Sequence, residues 1–311
     1  MLFKKILILI SLALTTFIQI ANSYENRIIL KIDREIVTNL DIKNEARYLS
    51  ALNPKLMELN EDKIFDISKN SVIRENIKKI EILKNTKDFE VSNDFLEKII
   101  QSRYKSLGLN SKNEFINYLE NFNIKIDTVV KKIKIEALWN QLIFFKFSKN
   151  IKINKEKLKK DIEKNTNLNE TRQFLLKEIL FDVKESSNLD KKYDQIKKSI
   201  SETGFENTAS IYSISDTAKV GGLLGWIDEN SLNSKIKNSL LGLKLNEYSK
   251  PIILTGGFLI LQISDIKVIK EKLDIDKELA NAINAETNRQ LNQFSNIYFN
   301  KIKKEIAINE I

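Results

Sequence analysis

The sequence predicts an α+β chain: a mostly helical N-terminal region, then a smaller unit that contains strands, then a further helical stretch. Three observations predict it. Apolar residues recur at helical spacing through most of residues 39–165. Two strand-like runs, Arg172–Leu180 and Gly257–Leu261, flank a glycine cluster at 221–225. Beyond them, Leu279, Ile283, Leu291, Phe294, Ile297, Phe299 and Ile302 again follow a helical period.

In chain order, Ile28–Ile32 is a short strand, and Asp33-Arg34-Glu35 turns it into a second, Ile36-Val37. Thr38 and Asp41 form a capping box that opens a helix running to about Leu52, since the residue before Pro54 disfavours α geometry. A second helix is expected from about Ser71, on the stripe Val72, Ile73, Ile77, Ile80 and Leu83. A third covers about 92–107, with Phe95, Ile99, Ile100, Tyr104 and Leu107 apolar and Gly108 as its C′ residue. A short fourth covers 112–121, and a long fifth covers 126–147 with Val129, Val130, Ile133, Ala137, Leu138, Leu142 and Phe145 on its face. A sixth begins near Asn154, and Ile306–Asn309 is a plausible last strand.

Composition narrows the chemistry. The 311 residues carry 51 Lys and Arg against 42 Asp and Glu, a net +9 that is interspersed along the chain. With no basic stripe and no recognisable module, no nucleic-acid partner is expected. The excess suits acidic clients or an anionic surface, or reflects a usage rich in Lys, Asn and Ile. The chain has no cysteine and no histidine, which excludes disulfides, thiolate or imidazole metal sites, and Ser-His or Cys-His catalysis. No metal and no cofactor is expected.

Residues 1–23 read as an export signal: Lys4 and Lys5, an apolar run from Ile6 to Ile20, and Ala21-Asn22-Ser23 as a small-residue cleavage site after Ser23. The mature chain is then expected in the periplasm, without stable membrane insertion; an uncleaved anchor is the alternative.

The strongest local departure is Val220-Gly221-Gly222-Leu223-Leu224-Gly225-Trp226, which places three of eight glycines and one of two tryptophans within a few residues. Taken alone it is a tight bend beside a groove, or a plain Gly-rich hairpin. Downstream come Asn246-Glu247-Tyr248-Ser249-Lys250-Pro251-Ile252 and Gly256-Gly257-Phe258-Leu259-Ile260. The order of these motifs, over roughly residues 170–268, resembles a parvulin-type peptidyl-prolyl isomerase domain. The helical order of the first half, with Asn110-Ser111-Lys112-Asn113-Glu114-Phe115 before the long helix, resembles the SurA-like chaperones, in which a C-terminal helix returns to the N-terminal domain. The resemblance implies four segments: signal 1–23, helical chaperone domain 24–168, parvulin-like domain 169–268, and 269–311 as the returning helix and strand. An independent helical tail is the alternative for the last.

Parvulins line their site with two histidines, a Cys or Asp, and a Phe. Carried over one at a time, the first histidine falls on Glu178 and the second on Leu259. The Cys or Asp falls on Ser215, with Asp216 beside it if the register slips by one, and the Phe falls on Ile236. The polar catalytic positions have changed, while Gly221, Gly222, Gly225, Trp226, Pro251 and Phe258 keep the scaffold. Isomerisation lowers a torsional barrier of ~18–20 kcal/mol and breaks no covalent bond, so loss of histidine does not by itself end it. The reading is a folding chaperone for unfolded or extended polypeptides, outer-membrane proteins above all, whose isomerase fold holds peptide at Trp226, Ile236, Phe258 and Leu259. An active isomerase is the alternative. Glu178 is expected as a solvated carboxylate at a strand end. Trp139, Phe144, Phe145 and Phe147 either line a binding crevice of the helical domain or form its core.

Overall fold

The computed structural model describes residues 26–85, 90–164, 171–183, 188–269 and 274–311. The expected signal and its cleavage site, and the expected boundary at 168–169, lie outside the described residues.

Strands β1 (Ile28–Ile32) and β2 (Glu35–Thr38) form a hairpin across Asp33, which sits at φ 52°. Helix α1 (Asn39–Leu52) opens on the expected capping box. Thr38 Oγ1 accepts from the Asp41 amide at 3.2 Å, and Asp41 Oδ2 accepts from the Thr38 amide at 2.8 Å. Helix α2 (Glu61–Asn85) starts ten residues before the expected Ser71. Asn60 caps it, its Oδ1 accepting from the Lys63 amide at 2.9 Å, and Ile64 and Ile67 carry its apolar side back through the first turns. Helices α3 (Asn93–Ser106) and α4 (Lys112–Glu120) carry serine caps at Ser92 and Ser111. They are followed by α5 (Ile126–Phe147) and α6 (Lys155–Lys164).

Two apolar cores hold this region. One gathers Tyr48 and Leu49 of α1, Leu96 and Ile100 of α3, Phe115 and Leu119 of α4, and Ile133 of α5. The other joins Leu30 and Ile32 of β1, Val72 and Ile77 of α2, and Trp139 and Leu142 of α5 to the last helix, α9 (Ile275–Glu305), through Phe299 and Ile302. Trp139 has no solvent exposure, stacks on Tyr298 at 5.9 Å, and donates its indole N–H to Ser295 Oγ at 2.8 Å. Burying so large a ring is worth roughly 3–5 kcal/mol on truncation, enough to fix the returning helix in place. After α9, strand β7 (Ile308–Glu310) pairs with β1, giving the order β2-β1-β7. The strand therefore sits two residues later than expected, because its register is set by β1.

The second unit is a four-stranded antiparallel sheet, ordered β4-β3-β6-β5, of β3 (Thr171–Phe181), β4 (Leu223–Asp228), β5 (Ile252–Leu254) and β6 (Gly257–Ile269). Helix α7 (Leu189–Tyr212), broken at Gly204, covers one face, where Ile196, Phe205 and Ala209 meet Ile179, Phe181 and Ile260. Helix α8 (Ser234–Leu240) covers the other, where Ile236 and Leu240 meet Leu176, Leu259 and Leu261. The chain is thus α+β. No helix among the described residues is long and apolar enough to cross a membrane.

The helical faces are rotated slightly from those expected. On α3 the buried line is Leu96, Ile100 and Tyr104, which turns Phe95 outward at 47% exposure. On α5, Phe145 is 73% exposed. The four aromatic residues at the end of α5 divide between the two expectations. Trp139 is core and Phe147 stacks on Phe294 at 5.2 Å, whereas Phe144 and Phe145 open to solvent.

Candidate functional site

Register fixes where the sheet residues point, because side chains alternate between faces and paired residues share one. Leu259 pairs with Leu180, and Glu178 with Leu261. Both lie on the α8 face with Ile236. Phe258 pairs with Phe181 and stacks on it at 5.7 Å, on the α7 face. Trp226 pairs with Leu175, one residue out of step with Ile227, which packs on the α8 side. Trp226 therefore looks the other way, partly exposed, with Lys267 Nζ 3.6 Å from its ring centroid. The structure brings Glu178, Leu259 and Ile236 to one face and turns Trp226 and Phe258 to the opposite one, so the four expected peptide contacts do not line a single groove. Ile236 and Leu259 are buried in the apolar core of the unit.

Glu178 is not the freely solvated carboxylate expected at a strand end. Its Oε1 accepts from Ser215 Oγ at 2.7 Å and from Thr217 Oγ1 at 2.8 Å. Burial pushes its carboxyl above the usual glutamate range, against the two hydroxyls, which favour the ionised form. Ser215 is thus the neighbour of Glu178, and Asp216 faces away. Gly222 makes the closeness possible: it sits at φ 80°, and a Cβ there would fall 2.3 Å from the Glu178 carbonyl oxygen.

Asp216 turns toward the helical layer. Its Oδ1 lies 2.6 Å from Lys78 Nζ and 3.7 Å from Arg74 of α2. Burial alone would raise the Asp216 carboxyl, but Lys78, Arg74 and Lys219 outweigh it and hold the group well below the usual carboxylate range. Lys219 Nζ reaches Glu136 Oε1 at 2.8 Å, with Arg103 at 3.6 Å from the other oxygen. Nearby, Lys55 and Lys177 both reach Glu206 Oε1, at 2.9 and 2.6 Å. Burial raises Glu206, but those two hydrogen bonds prevail and bring it down to about 2. A cavity of about 420 Å³ adjoins this seam, lined by Arg74, Ser215, Asp216, Lys219, Leu49 and Phe299 among others. Apart from Asp216, these partners are not legible in the sequence: they lie 83 and 138 positions apart.

A third feature is an open groove of about 1090 Å³ where α3, α5 and α9 meet, lined by Phe95, Phe144, Phe145, Val91, Ala137 and Leu291 together with polar residues such as Asn140 and Lys149. Phe144 is 54% exposed. Phe95, on the apolar face of α3 in the sequence, enters this groove because the buried line runs one residue away, through Leu96.

A family model described as Rotamase, the PPIC-type PPIase domain, matches residues 174–265. No curated protein matches the chain. Among solved structures, one of two structurally related SurA-like chaperones of Campylobacter jejuni is 15% identical, covering 92% of this chain and 100% of its own, with a TM-score of 0.34. PrsA from Bacillus subtilis is 18% identical over 90% of this chain and 92% of that one, with a TM-score of 0.29. A PpiC-type peptidyl-prolyl cis-trans isomerase domain is 27% identical over 31% of this chain and 93% of that one, with a TM-score of 0.28. The sheet with its two covering helices, residues 174–265, is a PPIC-type PPIase domain.

Proposed function

We propose that the chain is a folding chaperone that holds extended polypeptide, and that its PPIase domain serves this task more by binding and scaffolding than by isomerisation. The observation that carries the reading is the groove with Phe95, Phe144 and Phe145 open to solvent. Monomeric proteins rarely leave several large aromatic rings open in one concave patch unless something binds there. Rings and small apolar walls accept side chains of many kinds, which suits clients of varied sequence.

At the family positions of the PPIase domain, a carboxylate caged by two hydroxyls and two buried aliphatic residues stand where histidines, a Cys or Asp, and a Phe are usual. This argues for weak catalysis at Glu178, Ser215, Ile236 and Leu259, and leaves Trp226 and Phe258 as contacts on the other face. We read the chain as signal 1–23, helical domain 24–168, PPIase domain 169–268 and returning segment 269–311, exported to the periplasm. Outer-membrane proteins are the clients this placement suggests, since barrel strands alternate apolar and polar side chains and aggregate before insertion.

Light scattering of a urea-diluted barrel protein, with and without the mature chain, tests the reading. Suppressed scattering at stoichiometric amounts is expected, and undiminished aggregation overturns it. The same preparation should leave the slow, proline-limited phase of a refolding protein unaccelerated; acceleration would establish an active isomerase instead.

A further inference from the structure

The short turn Asp216–Val220 has different partners on its two sides. Toward the sheet, Ser215 and Thr217 hold the Glu178 carboxylate, and the Glu178 amide donates to the Gly222 carbonyl at 2.8 Å. Toward the helical layer, Asp216 pairs with Lys78 and Arg74, Lys219 pairs with Glu136, and Val220 packs on the core of α1, α3 and α5. Arg74 also donates to the carbonyl of Ile214, just before the turn. Lys78 is only 4% exposed, and its Nζ lies 5.5 Å from the Trp139 ring centroid.

A buried ammonium is tolerated only with a close counter-charge, and removing one partner of such a pair leaves the other uncompensated. If Asp216 loses its charge, Lys78 regains hydration by separation of the PPIase domain from α2. That separation pulls on the backbone that carries Ser215 and Thr217. We propose that the turn is a two-sided coupling element, so that docking of the PPIase domain on the helical layer and assembly of the hydroxyl cage around Glu178 are one event. The inference stands apart from the chaperone reading, and no client enters its test.

The chain has no cysteine, so Lys105→Cys on α3 and Lys198→Cys on α7 supply the two label sites for spin-label distance measurement. The parent should give one narrow distance distribution. Asp216→Asn should add a longer, broader population. In the same variant, amide exchange should quicken at Ala218, Gly221 and Gly222, whose N–H groups donate within the turn. Asp216→Glu, which keeps the charge, should restore part of the docked population. Lys112→Ala, which removes an exposed pair with Glu97, should change neither readout. Parent-like distance and exchange in Asp216→Asn would overturn the proposal, as would a change in one without the other. Far-UV circular dichroism reports whether the helical core is intact. If Asp216→Asn does not fold, the paired variant Lys219→Gln with Glu136→Gln loosens the same turn from its other end, with the same expected and overturning results.

Discussion

Replacing Phe144 and Phe145 together by serine should uncouple client binding from stability. The two rings are 54% and 73% exposed. With roughly 200 Å² per phenylalanine, they leave about 250 Å² of apolar surface open. Full coverage by a client would be worth about 6 kcal/mol at about 25 cal/mol/Å². Ordering an extended chain on the groove, and covering it incompletely, reduces this to about 3 kcal/mol for the pair. That corresponds to weakening of the dissociation constant on the order of 100-fold. The folded state should change by no more than about 0.5 kcal/mol per site, because exposed positions contribute little packing. Fluorescence anisotropy with a labelled peptide of alternating apolar and polar residues measures the first quantity, and urea unfolding followed by far-UV circular dichroism measures the second. A dissociation constant within about threefold of the parent, in a stably folded variant, would refute the groove as the client site, since that is well under 1 kcal/mol.

Two further outcomes follow from the PPIase domain. Gly222→Ala should destabilise the domain by about 3 kcal/mol or more, through positive φ and a Cβ 2.3 Å from the Glu178 carbonyl oxygen. Gly225→Ala, also at positive φ but with open space around its Cβ, should cost only about 1–2 kcal/mol; equal losses in thermal unfolding would contradict this account of the turn. Glu178→Gln tests the buried carboxyl. Because the folded pKa is raised, the folded state holds the proton longer than the unfolded one. That stability is fully present below the ordinary value of 4.5 and is lost as pH rises through the raised folded value. The neutral variant lacks this loss, so its stability relative to the parent should grow as pH rises above that ordinary value. A difference that stays constant with pH would sink the argument.

What the sequence determined about this protein is local. The Thr38–Asp41 capping box, the glycine at 108, the strand runs at 172–180 and 257–261, and the glycine cluster before Trp226 each constrain backbone within a few residues, and each took the expected form. The missed start of α2 was also local, a cap at Asn60 followed by Ile64 and Ile67 at helical spacing. The polar residues at the family's catalytic positions could be named from order alone, but their surroundings could not. That Glu178 is caged by hydroxyls follows from Gly222, which lets the turn close on the strand. That Trp226 and Leu259 look to opposite sides follows from strand register, where one step reverses every side chain. The partners of Asp216 and Lys219, and the outward rotation of Phe95 and Phe145, were decided only by packing between helices distant in sequence. A helical stripe specifies which side of a helix is apolar to within a residue or so, and only the neighbouring helices choose which of those residues meets water.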